Sequence, residues 1–331
     1  MAERGRFEGR RAAVTGAGGF IGGAVAAALA REGAAVEGID LRPRLNAAAA
    51  EAGVTPAVAD IARPHAADEA LAGAELVVHA AAHVREWGSM ADFVAVNARG
   101  TANVLAAAAR AGAARCLQIS SVVVFGYDDP AEQHEDAFRR VCGIPYIDTK
   151  SASDRLASRR GAVVIRPGDV YGPGSVPWLV RPLELARSGR LAVPSPGDGV
   201  MLPVYIDDLV EAVLRGLERG EPGRTYTAWD GRPIRFREYF DRIAAMAGAP
   251  PTRAVPGSLL ALAGAAEEAW ARLRGRPPAF TACAGVFVDR AGTASTERIR
   301  SELGWEPRID LDEGLRRSSE WASAQDLLLA P

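Results

Sequence analysis

The stretch Thr15-Gly16-Ala17-Gly18-Gly19-Phe20-Ile21-Gly22 follows a short apolar run, Ala12–Thr15, and opens an alanine-rich segment of helical character. A strand that turns on glycine straight into a helix begins a parallel β-α-β unit and commits the chain to an α/β sheet wrapped by helices. Gly16 permits the tight turn, Gly19 lets the backbone approach a diphosphate, and Gly22 lets helix and strand pack closely. The positive end of the helix, with Phe20 and Ile21 in its first turn, then faces the phosphates. Asp40 ends the next strand candidate, 18 residues beyond Gly22. A carboxylate there accepts from both ribose hydroxyls and repels a 2′-phosphate, which predicts NAD. Arg42 keeps NADP open, because a guanidinium two residues on suits that phosphate.

The alternation continues. Strand candidates are Val36–Asp40, Val54–Val58, Leu76–His79, Cys116–Ser120 and Ala162–Arg166; helix candidates are Gly22–Glu32, Ala66–Leu71, Asn97–Ala111 and Asp148–Arg159. This is the pattern of a doubly wound parallel sheet. After Tyr171, prolines at 173, 177, 182, 194, 196 and 203 break the pattern. Residues 1–170 are therefore expected to form the dinucleotide-binding domain, with returns near 203–230. Residues 171–202 and 231–331 are expected mainly in a smaller, discontinuous substrate lobe.

Composition narrows the function. A net charge of -2 lacks the basic footprint of a nucleic-acid binder. The apolar run Ser258–Ala266 is too short to span a bilayer, and no secretory signal stands before Ala12. Cys116, Cys142 and Cys283 are odd in number and far apart, which points to reduced thiols in the cytoplasm. His79 and His83 are four apart, but at a strand end and its loop with no glutamate beside them; no metal is expected.

Among the 39 basic residues the only lysine is Lys150. Alanine and arginine are used so heavily that lysine has drifted to arginine wherever the two substitute, so position 150 is suspected of needing an ammonium. It lies four residues after Tyr146, on one face of one helix. A free phenol has a pKa of about 10 and is a poor base at neutrality. A neighbouring ammonium, together with the cationic nicotinamide ring, is expected to favour its phenolate, and Lys150 is expected to donate to the nicotinamide ribose as well. A hydroxyl at the end of the preceding strand should hold the reacting oxygen; Ser121, 25 residues before Tyr146, and Ser120 both qualify.

The spacing Thr-Gly-x-x-Gly-x-x-Gly, with later motifs, resembles the extended short-chain dehydrogenase/reductase family of NAD-dependent epimerase/dehydratase type. The fold it implies is of Rossmann type. Asp60-Ile61 is similar to the family's adenine-contacting pair, and Ala80, Ala81 and Ala82 to its loop along the coenzyme. Asn97 matches the asparagine that orders the active-site backbone. The stretch Arg166-Pro167-Gly168-Asp169-Val170-Tyr171-Gly172-Pro173 matches a late motif. Phe125-Gly126, aligned on the family's aromatic-glycine pair, selects Ser121 as the catalytic hydroxyl, leaving Ser120 to the coenzyme. The resemblance also implies a homodimer through the helices bearing Asn97 and Tyr146.

Val122 and Val123 stand where sugar-dehydrating members carry an Asp-Glu pair, so dehydration is not expected. Nucleotide-sugar epimerases carry asparagine at Asp169 and arginine at Met201; both departures argue against a diphosphate-bearing substrate. The segments around His83–Gly88 and Ser258–Thr281 resemble 3β-hydroxysteroid dehydrogenase-like and bacterial 3-oxoacyl members. His83, Trp87, Asp169, Trp178 and Met201 are candidate substrate residues, with Leu259 and Leu260 as further apolar lining. The acidic stretch Asp128–Asp136 is expected as a solvated flap. The expected activity is interconversion of a secondary alcohol and a ketone on an apolar or natural-product substrate. An epimerase that retains its NAD is the alternative, and a non-catalytic dinucleotide sensor a third reading.

Overall fold

The computed structural model describes residues 5–84, 87–137, 140–276, 278 and 280–328. The first half runs β1 (Arg11–Thr15), α1 (Phe20–Arg31), β2 (Ala35–Asp40), α2 (Ala47–Glu51), β3 (Thr55–Val58), β4 (Leu76–His79) and α3 (Met90–Phe93). A π-helical stretch, Val94–Gly100, joins α3 to α4 (Thr101–Arg110). Then come β5 (Arg115–Ile119), a 3-10 turn at Val122–Phe125, α5 (Pro145–Arg159), β6 (Val163–Pro167) and β7 (Asp169–Tyr171). A second π-helical stretch, Val176–Val180, leads into α6 (Arg181–Arg187), β8 (Ala192–Pro194), β9 (Val200–Met201), β10 (Pro203–Tyr205) and α7 (Ile206–Arg219). The remainder is β11 (Thr225–Ala228), β12 (Ile234–Arg235), α8 (Phe236–Met246), β13 (Arg253–Val255), α9 (Gly257–Arg274), α10 (Ala284–Phe287), α11 (Glu297–Leu303) and α12 (Leu311–Ala324).

Seven strands form one parallel sheet in the order β11-β6-β5-β4-β1-β2-β3. Side chains alternate across it: Ala12 and Val14 of β1 join one core cluster, while Ala13 joins the other with Ile39, Val77 and Val104. Both faces are therefore covered by helices, as a parallel sheet requires. Alanine helps: Ala26 and Ala27 are fully buried, so α1 lies close against the sheet. The order reverses between β1 and β4, and the crevice beyond their carboxyl ends is where such sheets bind ligands. Three two-stranded ribbons, β7-β10, β8-β13 and β9-β12, organise the later chain.

Two expectations for local structure change. Ala66–Leu71 forms successive turns rather than a helix; Ala67 and Leu71 are still buried, and His65 takes a positive φ of 63° just before them. Helix α5 starts at Pro145, not Asp148, with proline in its first turn where no backbone donor is needed. Tyr146 is thereby inside the helix that carries Lys150.

Candidate active site

The glycine turn is built as its sequence requires. Gly16 has φ of +73°, and a Cβ there would meet the backbone of Ala81 at 2.9 Å. A Cβ on Gly22 would lie 2.2 Å from the carbonyl oxygen of Gly16. Gly19 caps α1 without a side-chain hydrogen bond, and the first turn holds no acidic residue. The amides of Phe20, Ile21 and Gly22 thus open a helix end with no built-in anion, which fits a diphosphate. Asp40 closes the turn: its Oδ2 accepts from the Gly18 amide at 3.1 Å and its Oδ1 from Leu41 at 2.7 Å. Each oxygen keeps a lone pair for a ribose hydroxyl. Arg42 is exposed beside it. This cradle suits a dinucleotide.

The other coenzyme candidates divide. Ala80, Ala81 and Ala82 line the loop after β4 and are half-buried. Asp60 accepts from the Ala62 amide at 3.0 Å. Ile61 is turned inward, packed in the second core cluster against Gly100, while its carbonyl accepts from Asn103 at 2.8 Å. Gly168 is demanded by its own chain, since a Cβ there would lie 2.1 Å from the Leu202 carbonyl oxygen. Pro167 ends β6 and Val170 is buried in β7.

Ser121 and Tyr146 face each other: Ser121 lies near enough to act on the Tyr146 hydroxyl, and Ser121 Oγ accepts from the Val123 amide at 3.3 Å. Ser120 is used elsewhere, its hydroxyl donating to Asp154 at 2.6 Å. Between the two serines, only Ser121 faces the tyrosine. Around Tyr146 lie Val123, Tyr127, Ile144, Ile147 and Phe287, with the Phe287 ring centroid at 6.2 Å. Burial in this apolar nest pushes the Tyr146 hydroxyl up to about 12, against a smaller opposing effect of Ser121.

Lys150 stands beside this pair. Lys150 is buried, and its Nζ donates to the carbonyl oxygen of Ile119 at 2.8 Å. Burial lowers its own pKa to about 8, with Asp154 acting in the opposite direction. In the coenzyme-free protein burial is the largest influence on the Tyr146 hydroxyl.

Asn97, in the π-helical stretch, grips the loop that carries His83. Its Oδ1 accepts from the His83 amide at 2.7 Å, and its Nδ2 donates to the His83 carbonyl at 3.1 Å and to Thr149 Oγ1 at 3.1 Å. Thr149 immediately precedes Lys150, so Asn97 ties the loop to the helix bearing both Tyr146 and Lys150.

The substrate candidates require correction. Met201 is fully buried in the core and lines no open cleft; an apolar side chain reads alike in either setting. Asp169 is not free to face a ligand: Arg290 binds it at 2.7 Å and 3.3 Å, and its Oδ2 also accepts from the Leu202 amide at 2.9 Å. Both partners are buried, so the repulsion expected from Asp169 is cancelled by an arginine 121 positions away. Trp178 is half-buried and stacked on Phe236 at 5.4 Å, its carbonyl accepting from Tyr239. His83 and Trp87 are half-buried; Arg272 of α9 covers the Trp87 ring at 5.0 Å. Leu259 is 54 % exposed on α9. The acidic stretch is not wholly solvated either, because Glu135 is buried and accepts from the Thr227 amide at 3.0 Å.

Sequence reasoning missed three further features. Asp154 and Arg166 form a fully buried bidentate pair, both contacts at 2.9 Å. Arg290 also lies over the Tyr127 ring at 5.1 Å. Phe287 joins the pocket from α10, 141 residues after Tyr146. Only the acid four residues after Lys150 gave any sequence signal.

A protein with this switch-point cradle and a Ser-Tyr-Lys cluster at the end of β5 is a nucleotide-dependent oxidoreductase of the extended short-chain class. The chain belongs to the NAD dependent epimerase/dehydratase family, whose profile matches residues 12–228. It is 31 % identical over 324 residues to a 2-alkyl-3-oxoalkanoate reductase of Stenotrophomonas maltophilia, covering 92 % of this chain and 97 % of that protein. A 4-hydroxy-2-methyl-3-oxo-4-farnesyl-3,4-dihydroquinoline-1-oxide ketoreductase of Stigmatella aurantiaca is 26 % identical over 322 residues, covering 92 % and 94 %. The crystal structure of gox2253 superposes with a TM-score of 0.76 at 25 % identity, covering 97 % of this chain and 99 % of that one. Among the described residues, no helix is long and apolar enough to cross a membrane.

Proposed function

We propose that this protein is an NADH-dependent ketoreductase that converts an apolar 3-oxo compound to the 3-hydroxy product. The observation that carries this reading is the placement of Tyr146 beside Ser121 among apolar side chains, on the helix that also bears Lys150. A phenol pushed up to about 12 is a poor base but keeps its proton at neutral pH. Ketone reduction needs that proton as the carbonyl oxygen gathers charge. Ser121 donates to the same oxygen and Tyr146 delivers the proton to it. When bound, NADH supplies the hydride to the carbonyl carbon. Gly16, Gly19 and Gly22 hold its diphosphate, Asp40 its adenosine ribose, and Lys150 the ribose next to the nicotinamide. No carboxylate follows Ser121, since Val122 and Val123 stand there; this favours simple reduction over dehydration.

Substrate class follows from the surroundings. Phe287, Tyr127 and Val123 present apolar surface to the reacting carbon, and Asp169 neutralises Arg290, leaving little to attract a diphosphate. The names of the two ketoreductase relatives agree with a 3-oxo substrate bearing hydrocarbon. Residues 1–170 with 203–230 are read as the coenzyme part, and 171–202 with 231–331 as the substrate part. Three cysteines without disulfides suit the cytoplasm, and a homodimer through the helices of Asn97 and Tyr146 is the assembly expected.

The test is a panel of 2-alkyl-3-oxo acids, 3-oxo steroids and nucleotide sugars, scored by loss of NADH absorbance. Turnover of the apolar ketones with stoichiometric NADH consumption is expected. Conversion of nucleotide sugars alone, with tightly retained NAD and no net absorbance change, would establish the epimerase instead.

A further inference from the structure

His79 is the last residue of β4 and is fully buried, yet the chemistry above gives it no task. Both of its ring nitrogens are engaged. Thr15 Oγ1 lies 2.7 Å from Nδ1, and Thr101 Oγ1 lies 3.0 Å from Nε2. The direction of every proton follows from the outer partners. The carbonyl oxygen of Asn97 can only accept, so the Thr101 hydroxyl donates to it at 2.6 Å. That hydroxyl has no second proton, so His79 Nε2 must be the donor to Thr101 Oγ1. A neutral imidazole carries one N–H, which leaves Nδ1 bare and accepting from Thr15. The Thr15 oxygen in turn accepts from the Ala81 amide at 3.2 Å. Neutrality is enforced by burial, and by the charge of Lys150, which together hold the ring down at about 3.

The ends of this chain of bonds coincide with the two halves of the site. Thr15 directly precedes Gly16, and Ala81 packs on Gly16, so one end fixes the coenzyme turn. Asn97 grips the His83 backbone and Thr149, so the other end fixes the helix of Tyr146 and Lys150. We propose that His79 is a positioning residue whose Nε2-protonated ring couples the coenzyme cradle to the catalytic helix through Thr15 and Thr101. The proposal rests on the reductase reading for its catalytic half only. The coenzyme half and the tautomer stand independently of any substrate.

Three variants test it, each checked for folding by thermal melting. Thr101→Val keeps the shape and strips the hydroxyl; it is expected to lower kcat about tenfold and to weaken NADH binding less. Thr15→Val should do the reverse, raising the NADH dissociation constant, read from tryptophan fluorescence, about tenfold and lowering kcat less. His79→Phe should show both losses, and if it fails to fold the two threonine variants decide. Nitrogen-15 spectra of the native protein, which has four histidines, should show a neutral Nε2–H ring that disappears in His79→Phe. Variants that melt earlier but keep kcat and NADH affinity within twofold of the native protein would reduce His79 to a packing role and overturn the proposal. An Nδ1–H tautomer would overturn it as well. A native protein that binds NADH but turns over no ketone would refute the reductase reading, while the tautomer and the affinity of Thr15→Val would still decide on His79.

Discussion

Lys150 donates its buried ammonium to the main-chain oxygen of Ile119 at 2.8 Å, one turn of helix along from Tyr146. The lysine is therefore anchored to the end of β5, two residues before Ser121, and stays fixed whether or not the tyrosine ionises. Its charge also lies in reach of His79 and Asp154. In the coenzyme-free protein burial raises the tyrosine pKa more than any neighbour lowers it.

Anchoring of this kind makes arginine a poor substitute. A guanidinium is too wide for a fully enclosed position against one carbonyl oxygen. Lys150→Arg and Lys150→Met should each lower kcat/KM by roughly a hundredfold, a typical size for losing one positioned acid-base partner. Stability should move differently. The folded pKa of about 8 lies below that of a free lysine. Between about 8 and 10.5 the unfolded chain binds the extra proton, so native stability rises with pH across that window. Urea melts at several pH values should show this rise in the native protein and its loss in Lys150→Met.

The pH dependence of the rate should differ between the two directions. With Tyr146 protonated up to about 12 in the empty site, proton delivery to a ketone is not limited by the tyrosine at neutrality. Oxidation of the alcohol requires the phenolate, so its kcat/KM should climb about tenfold per pH unit below the tyrosine pKa. Initial rates in both directions between pH 6 and 9 measure this. Equal slopes would show that another group handles the proton.

Asp154 and Arg166 are both fully enclosed and mutually satisfied, with Ser120 and the Glu135 carbonyl completing the set. Asp154→Asn leaves a guanidinium uncompensated in the interior. Removing one member of such a pair costs about 3–5 kcal/mol. The urea midpoint should fall accordingly, and Asp154→Leu combined with Arg166→Met should recover much of the loss.

How much of this was legible in the sequence follows the range of the interaction. The glycine turn, Asp40 and the strands of the sheet are short-range patterns, and they stand where spacing put them. Tyr146 and Lys150 share one helix because three intervening residues suffice to place them. The Asp169–Arg290 pair joins positions 121 apart, and no local pattern links them. Met201 is apolar, and hydrophobicity alone does not separate a core from a cleft. Ala66–Leu71 has helical spacing, yet turns bury the same two side chains. The Lys150 charge near Tyr146 is visible in the sequence, whereas the burial that pushes the tyrosine up in the coenzyme-free protein is visible only once the chain is folded.

The most direct measurement is single-turnover reduction of a 2-alkyl-3-oxo acid by pre-bound NADH, comparing the native protein with Tyr146→Phe. Removing one hydroxyl should leave NADH affinity within about twofold and slow the hydride step by at least a hundredfold, the scale of general acid catalysis. A Tyr146→Phe protein that oxidises its NADH at the native rate would contradict proton delivery by this tyrosine.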